Sequence, residues 1–253
     1  MNTSIGDIME VSLLAGKIML QSGGETYRVE DTMNRIARSC AFSEAHSYVT
    51  PTGIFLSIQG EERDKEQTKF LRIHQRQIDL NKIVQVNDIS RKISSGQLTI
   101  EKAYPLLLVV ESSRSLYPAW LQIVSAALAS GFFSLMFGGT WNDFFPALLT
   151  GGLGFFLYLR ANRWVQVKFF SEILAAFTIG AMAYLFFYLG IKIHIDKVII
   201  GSVMPLVPGV LITNAVRDLM AGDLVSGLAR GAEAFFTAFA IGAGVAVTLA
   251  LLM

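Results

Sequence analysis

With 253 residues, 53% of them hydrophobic, 16% charged and a net charge of +1, the chain is too apolar for an ordinary soluble protein and too neutral to favour a nucleic-acid partner. Its single cysteine, Cys40, excludes an intrachain disulfide and is read as a small buried apolar side chain. The charge is unevenly spread: of 41 charged residues, 28 lie in residues 1–117 and 13 in residues 118–253. That split predicts a mixed fold: a small cytoplasmic α/β domain over residues 1–116, then an α-helical membrane domain over residues 117–253.

In chain order, residues 4–21 carry Ile8, Val11, Ala15 and Ile18 at helical spacing. Asp7, Glu10 and Lys17 interrupt the apolar pattern, so no secretory signal is expected there. Ser22-Gly23-Gly24-Glu25 punctuates the chain. A second helix is expected from about Glu25 to Arg38, with Ser22-x-x-Glu25 as a capping box at its start. Residues 45–50 and 52–59 read as two strands parted at Pro51 or as one strand kinked there, and residues 67–76 alternate again. Helices are expected over 79–95 and 99–113, divided by Ser94-Ser95-Gly96, the second starting near Thr99.

Crossing roughly 30 Å of hydrocarbon takes about 20 apolar residues. Residues 118–138, 143–160, 169–190 and 231–253 qualify, and 197–212 forms a shorter stretch broken by Pro205, Pro208 and Gly209. Five spans are therefore expected, the fourth irregular. Arg160, Arg163 and Lys168 lie in one short loop and the 139–142 loop has no Lys or Arg, which places the N-terminus in the cytoplasm and the C-terminus outside. Lys192 and Lys197 on the outer side go mildly against that bias. Tyr117, Trp120, Trp141, Tyr158 and Trp164 stand near span ends, as an interfacial aromatic belt does. Asp143 and Asp196 sit where helix N-caps belong. Small residues recur every fourth position at Ala126, Ser130, Ser134 and Gly138, and again at Ala234, Ala238, Gly242, Ala246 and Ala250. Such stripes let helices approach closely in lipid, within the chain or against a partner, and they allow a homo-oligomer.

The richest stretch runs from Met204 to Arg230. Irregular backbone at membrane depth survives only inside protein or beside a watery cavity, and broken helices offer backbone ends to ions and zwitterions. Past the break, Thr213 and Arg217 share one helix face, and Asn214 and Asp218 another. Arg217 is suited to grip a carboxylate, and Asp218 or Asp223 an ammonium or a proton. The same charges also suit plain anchoring at a membrane interface, so both readings stand. Glu172, at the start of the third span, is either interfacial or proton-coupling. Glu25, Arg28, Glu30 and Asp31 form either a gating surface or a solvated helix face.

The run Pro208–Arg230 resembles the threonine/serine exporter family. So do Gly24-Glu25-Thr26-Tyr27-Arg28-Val29-Glu30-Asp31-Thr32, Val49-Thr50-Pro51-Thr52-Gly53-Ile54-Phe55 and Val86-Asn87-Asp88-Ile89-Ser90-Arg91. The resemblance implies a bacterial plasma-membrane exporter, driven by an ion gradient and acting on threonine, serine or another small carboxylate, without a cofactor. It also implies that this chain corresponds to the larger first half of a fused exporter, with a separate small membrane subunit supplying the second half. Some split pairs of the wider family are associated with dicarboxylate export, which is the alternative reading.

Enzymes are the main rival class. The chain lacks a Gly-x-x-x-x-Gly-Lys phosphate loop and a Gly-x-Ser-x-Gly elbow, and His46, His74 and His194 have no metal-ligand spacing. A membrane-anchored hydrolase, or a ligand sensor built on the N-terminal domain, is the remaining alternative. The broken fourth span disfavours the sensor, because a simple anchor needs no irregular backbone.

Overall fold

The computed structural model describes residues 4–39, 44–59, 66–74, 76–113, 117–165 and 167–252, so Cys40 lies outside the described residues. They divide into two compact units: Met1–Ser115 with Val210–Gly231, and Leu116–Gly209 with Ala232–Met253.

The first unit holds helices α1 (Ile5–Gln21), α2 (Thr26–Arg38), α3 (Leu80–Ser94) and α4 (Ile100–Ser112) around strands β1 (Glu44–Thr50), β2 (Gly53–Gln59) and β3 (Glu66–Arg72). The sheet is an antiparallel meander in the order β1-β2-β3. Period-two alternation sends Val49, Ile54, Leu56 and Ile58 into the core, where they meet Ile8, Ile18, Met33 and Ile36 of the helices. The expected four helices and three strands are present.

Ser22 is the C-cap of α1, and α2 begins one residue after Glu25. The expected capping box is therefore corrected. Gly23 takes φ +88 in the tight turn between α1 and α2, which leaves Ser22 in the preceding helix end. Glu25 is the N-cap residue but makes no side-chain cap bond.

The second unit contains α5 (Ala119–Met136), α6 (Trp141–Trp164), α7 (Phe170–Tyr188) and α8 (Ile195–Val203), the last followed by a 3-10 turn over Met204–Leu206. Beyond the break lie α9 (Gly209–Ala221), in the first unit, and α10 (Leu224–Leu252), which begins in the first unit and ends in the second. Four helices are long and apolar enough to cross a membrane, or five crossings if α8, its turn and α9 count as one bent span. Pro205 sits in the 3-10 turn and Pro208 stands between the helices, where each removes a backbone donor.

Of the two small-residue stripes, one is packed within the chain. Ala126, Ser130 and Ser134 are buried, and a Cβ on Gly201 would lie 2.7 Å from the Ser130 carbonyl oxygen. On α10 the packed face is instead Ile241, Gly244 and Thr248, with Thr248 Oγ1 donating to the Phe177 carbonyl at 2.9 Å. Ala238, Gly242, Ala246 and Ala250 remain exposed.

Asp143 and Asp196 are not N-caps. Thr140 caps α6, and Asp143 is the third residue of the reciprocal capping box, accepting from the Thr140 N–H at 2.6 Å and hydroxyl at 2.8 Å. The fully buried Asp143 carboxylate also accepts from the His194 N–H at 2.6 Å and faces His194 Nδ1 at 3.0 Å. His194 is the N-cap residue of α8, with Asp196 in the first turn.

Candidate functional site: a buried charge network at the start of α2

A helix start leaves main-chain N–H groups without intrahelical partners. At α2 the relief comes from far along the chain. Asp218, on α9, accepts from the Thr26 N–H at 3.0 Å through Oδ1 and from the Thr26 hydroxyl at 3.1 Å through Oδ2. It thus does for α2 what the N-cap side chain does elsewhere, and its charge suits the positive end of the helix dipole.

The Asp218 carboxylate is fully buried, so its charge needs a partner. Arg230, on α10, supplies it, with Nε 3.1 Å from Asp218 Oδ2, and its Nη2 donates to the Gly24 carbonyl at 2.7 Å. Asn214, one turn before Asp218, donates through Nδ2 to the Gly23 carbonyl at 2.8 Å. The α9–α10 hairpin that carries these groups is tight: a Cβ on Gly227 would lie 3.0 Å from the Ala215 carbonyl oxygen.

A second layer is more exposed. Glu25 accepts from Arg217 Nη1 at 2.6 Å through Oε1 and from Arg28 Nη1 at 3.1 Å through Oε2. The Arg217 side chain is 55% exposed, whereas that of Glu25 is buried. Burial raises the Glu25 pKa, but its own main-chain N–H, Arg217 and Arg28 together outweigh it and hold the carboxyl below the usual range. Glu30 accepts from the Val49 N–H at 2.8 Å, and Ser226 donates to the Val49 carbonyl at 3.3 Å. Burial pushes the Glu30 pKa up; the Val49 N–H opposes the shift, and the Asp223 and Asp218 charges add to it. Asp223, in the α9–α10 turn, is likewise raised by burial and by Asp218.

Asn214, Arg217, Asp218 and Asp223 thus share one network with Glu25, Arg28 and Glu30, although the two groups are far apart in sequence. Asp31 stands apart, paired with Arg35. Thr213 lies on the exposed side of α9. Glu172 is half-buried in the first turn of α7, in the second unit. Pro205, Pro208 and Gly209 mark the break before α9. Sequence reasoning missed Arg230, Thr26 and Ser226 as members of the network. Arg230 carried a readable signal: a full charge among apolar and small residues near the start of a span asks for a buried partner. Thr26 and Ser226 carried none. The carboxylate that Arg217 meets is that of Glu25. Among the described residues, no group of three or more His, Cys, Asp or Glu is placed to hold a metal.

The family model described as "Putative threonine/serine exporter" matches residues 10–252. A Mycobacterium tuberculosis protein named "Probable threonine/serine exporter" is 22% identical over 96% of this chain and 46% of its own length. The "Threonine/serine exporter" of Corynebacterium glutamicum is 22% identical over 99% of the chain and 52% of its own length. The Escherichia coli "Probable succinate transporter subunit YjjP" is 24% identical over 96% of the chain and 93% of its own length. The chain therefore spans about half the length of the relatives named as threonine/serine exporters. No solved structure matches.

Proposed function

The chain belongs to the threonine/serine exporter family, and from that premise we propose that it exports small amino acids such as threonine or serine as an ion-gradient-driven secondary transporter. The family is one of membrane exporters, not of enzymes. The observation that carries the reading is the match itself, which runs through the N-terminal helices, the sheet and every candidate span. We place the protein in a bacterial plasma membrane with residues 1–116 in the cytoplasm. The half-length coverage of the fused relatives supports a separate small membrane subunit as partner, the equivalent of their second half. The exposed Ala238–Ala250 stripe of α10 offers that subunit a close-packing surface.

In this reading the network at the start of α2 borders the substrate path. Arg217 is the cation for a substrate carboxylate, with Glu25 occupying it in the resting arrangement. Asp223, in the α9–α10 turn, supplies the negative side; Asp218, buried against Thr26 and Arg230, fixes the frame behind it, and Thr213 and Asn214 flank them. A zwitterion meets one fixed charge of each sign in such a site, so binding it buries no net charge. Glu30 and Glu172 are the candidates for coupling to an ion gradient.

A dicarboxylate is the second reading. It is favoured by the Escherichia coli relative, which this chain covers almost end to end and whose name gives succinate. Counterflow in proteoliposomes separates the two, with this chain reconstituted together with its partner half and loaded in turn with threonine, serine and succinate. Labelled threonine or serine exchange supports the amino-acid reading, succinate exchange alone supports the second, and exchange of none of them defeats both.

A further inference from the structure

One face of the three-stranded sheet lies against the helices. The other carries three aromatic rings in a single row: the register pairs Tyr48 with Phe55 and Phe55 with Phe70. Their ring centroids are 6.4 Å and 4.6 Å apart, and the residues are 51%, 44% and 52% exposed. A contiguous aromatic row of this kind marks an interaction surface more often than scattered exposed apolar residues do. Phe70 also lies over Gly53, where a Cβ would come within 2.7 Å of its ring, so the row is seated on the sheet.

We propose that this face binds a second copy of the chain, the two sheets stacked face to face about a twofold axis that lies between them and runs across the strands. The next row along the strands is polar, with the small Ser57 and Thr68 beside His46. An axis between the two rows sets Phe55 and Phe70 of each copy over the small Ser57 and Thr68 of the other, and Tyr48 over His46. Large against small is the arrangement that fills the roughly 10 Å between packed sheets. The same axis reverses β3 on itself. Arg72 and Glu66 stand at opposite ends of β3 on this face, so each Arg72 comes opposite the partner copy's Glu66. A twofold interface needs this kind of self-complementarity.

The hydroxyls on the face are ready to be covered. Thr68 Oγ1 donates to Ser57 Oγ at 2.9 Å, Ser57 Oγ donates to Glu66 Oε1 at 2.6 Å, and Thr50 Oγ1 donates to the Gly53 carbonyl at 3.3 Å. A ring laid over Ser57 and Thr68 strands neither hydroxyl proton. Charge pairing and row matching select a second copy over an unrelated partner, because both arise from the face meeting itself.

The test uses the full-length chain in native-like lipid, with Cys40 replaced by Ser and Thr68→Cys as the only thiol. The proposed stacking puts the two Thr68 Cα atoms about 12 Å apart, from sheet separation and strand rise, within reach of a short bismaleimide. Expected is a crosslinked homodimer. Its yield falls at least tenfold when Arg72→Glu or Phe55→Asp is added, and Glu66→Arg restores it in the Arg72→Glu background only. No homodimer, a yield indifferent to both changes, or failure of the charge exchange to rescue overturns the proposal. So does crosslinking to a different protein, which would assign the face to another partner.

Discussion

At the residue scale, the network contains two kinds of charge. Asp218 and Arg230 are buried, and removing either takes the opposite charge away from the other, a loss of about 3–5 kcal/mol. Arg217 is more than half exposed, so its bridge to Glu25 contributes at most about 1 kcal/mol. A cation held that loosely can exchange partners at little cost, and this is why Arg217 and not Arg230 is proposed to meet the substrate. Arg217→Lys is expected to leave the melting midpoint near that of the wild type while cutting export nearly as far as Arg217→Ala, since Lys keeps the charge but loses the fork. Near-normal flux in Arg217→Lys at equal expression would return Arg217 to plain anchoring. Glu30 is informative through pH. Its folded pKa lies above the ordinary value of 4.5, so the folded state holds the proton more tightly than the unfolded chain does. Stability from this group therefore falls as pH rises from 4.5 through the raised value, and above that value the full penalty is present. Glu30→Gln removes the charge and keeps an acceptor for the Val49 N–H. It should be the more stable protein at pH 7 and match the wild type near pH 4. An equal gap at both pH values, measured by thermal unfolding, rules this account out. Glu25 has the opposite sign: its contribution is present above 4.5 and is lost as pH falls through its lowered folded value.

At the element scale, the two glycines of the α10 stripe region separate packing within the chain from packing against a partner. A Cβ on Gly244 would lie 2.5 Å from the Ile173 carbonyl oxygen and 3.0 Å from the Phe177 N, both backbone atoms of α7 that cannot swing aside. A Cβ on Gly242 meets nothing within 4 Å. Gly244→Leu should therefore lower the thermal midpoint of the chain by itself, at a cost of at least about 1–3 kcal/mol. Gly242→Leu should leave that midpoint unchanged and weaken only co-purification of the second subunit; undiminished co-purification would remove the stripe as an interface. Every element before α8 was legible from apolar periodicity and turn residues, because each obeys a local rule. The start of α10 was not. Residues 224–230 carry Ser226, Gly227 and Arg230, which look like a loop when hydropathy alone is read, yet they continue the helix. The roles of Ser22, Asp143 and Asp196 were misplaced because cap positions depend on where the chain turns, and Gly23 and Thr140 set that point. The pairing of Asp218 with Thr26 spans 192 positions, and no local pattern encodes it.

At the scale of the whole molecule, the composition of the first unit constrains the topology. The start of α2 and residues 214–230 are tied by charged and polar side chains within one compact body, which supports one side of the membrane for both. The chain between them must then cross an even number of times. Helices α5, α6 and α7 are each long and apolar enough for one crossing, and the fourth is proposed for the broken segment around α8. A re-entrant loop there would return the chain to the wrong side. The twelve residues Ile195–Leu206 rise only about 18 Å as helix, less than the hydrocarbon thickness. The start of α9 makes up part of the difference, with Val210 and Ile212 exposed and apolar. With five crossings, as proposed, the chain ends on the side opposite to the one where it begins. The proposed sign of the arrangement comes from the loops: five crossings would group Arg160, Arg163 and Lys168 with Arg217 and Arg230 on one side, and Lys192 and Lys197 on the other. In the proposed orientation the richer side is the cytoplasmic one. Paired reporters, one active only in the cytoplasm and one only outside it, fused after Met253 and separately inserted at Gly222, decide both points. Met253 should report outside and Gly222 inside. If both report the same side, α10 does not cross. If Gly222 reports outside with Met253 inside, the whole assignment inverts and the cytoplasmic placement of the N-terminal unit is wrong.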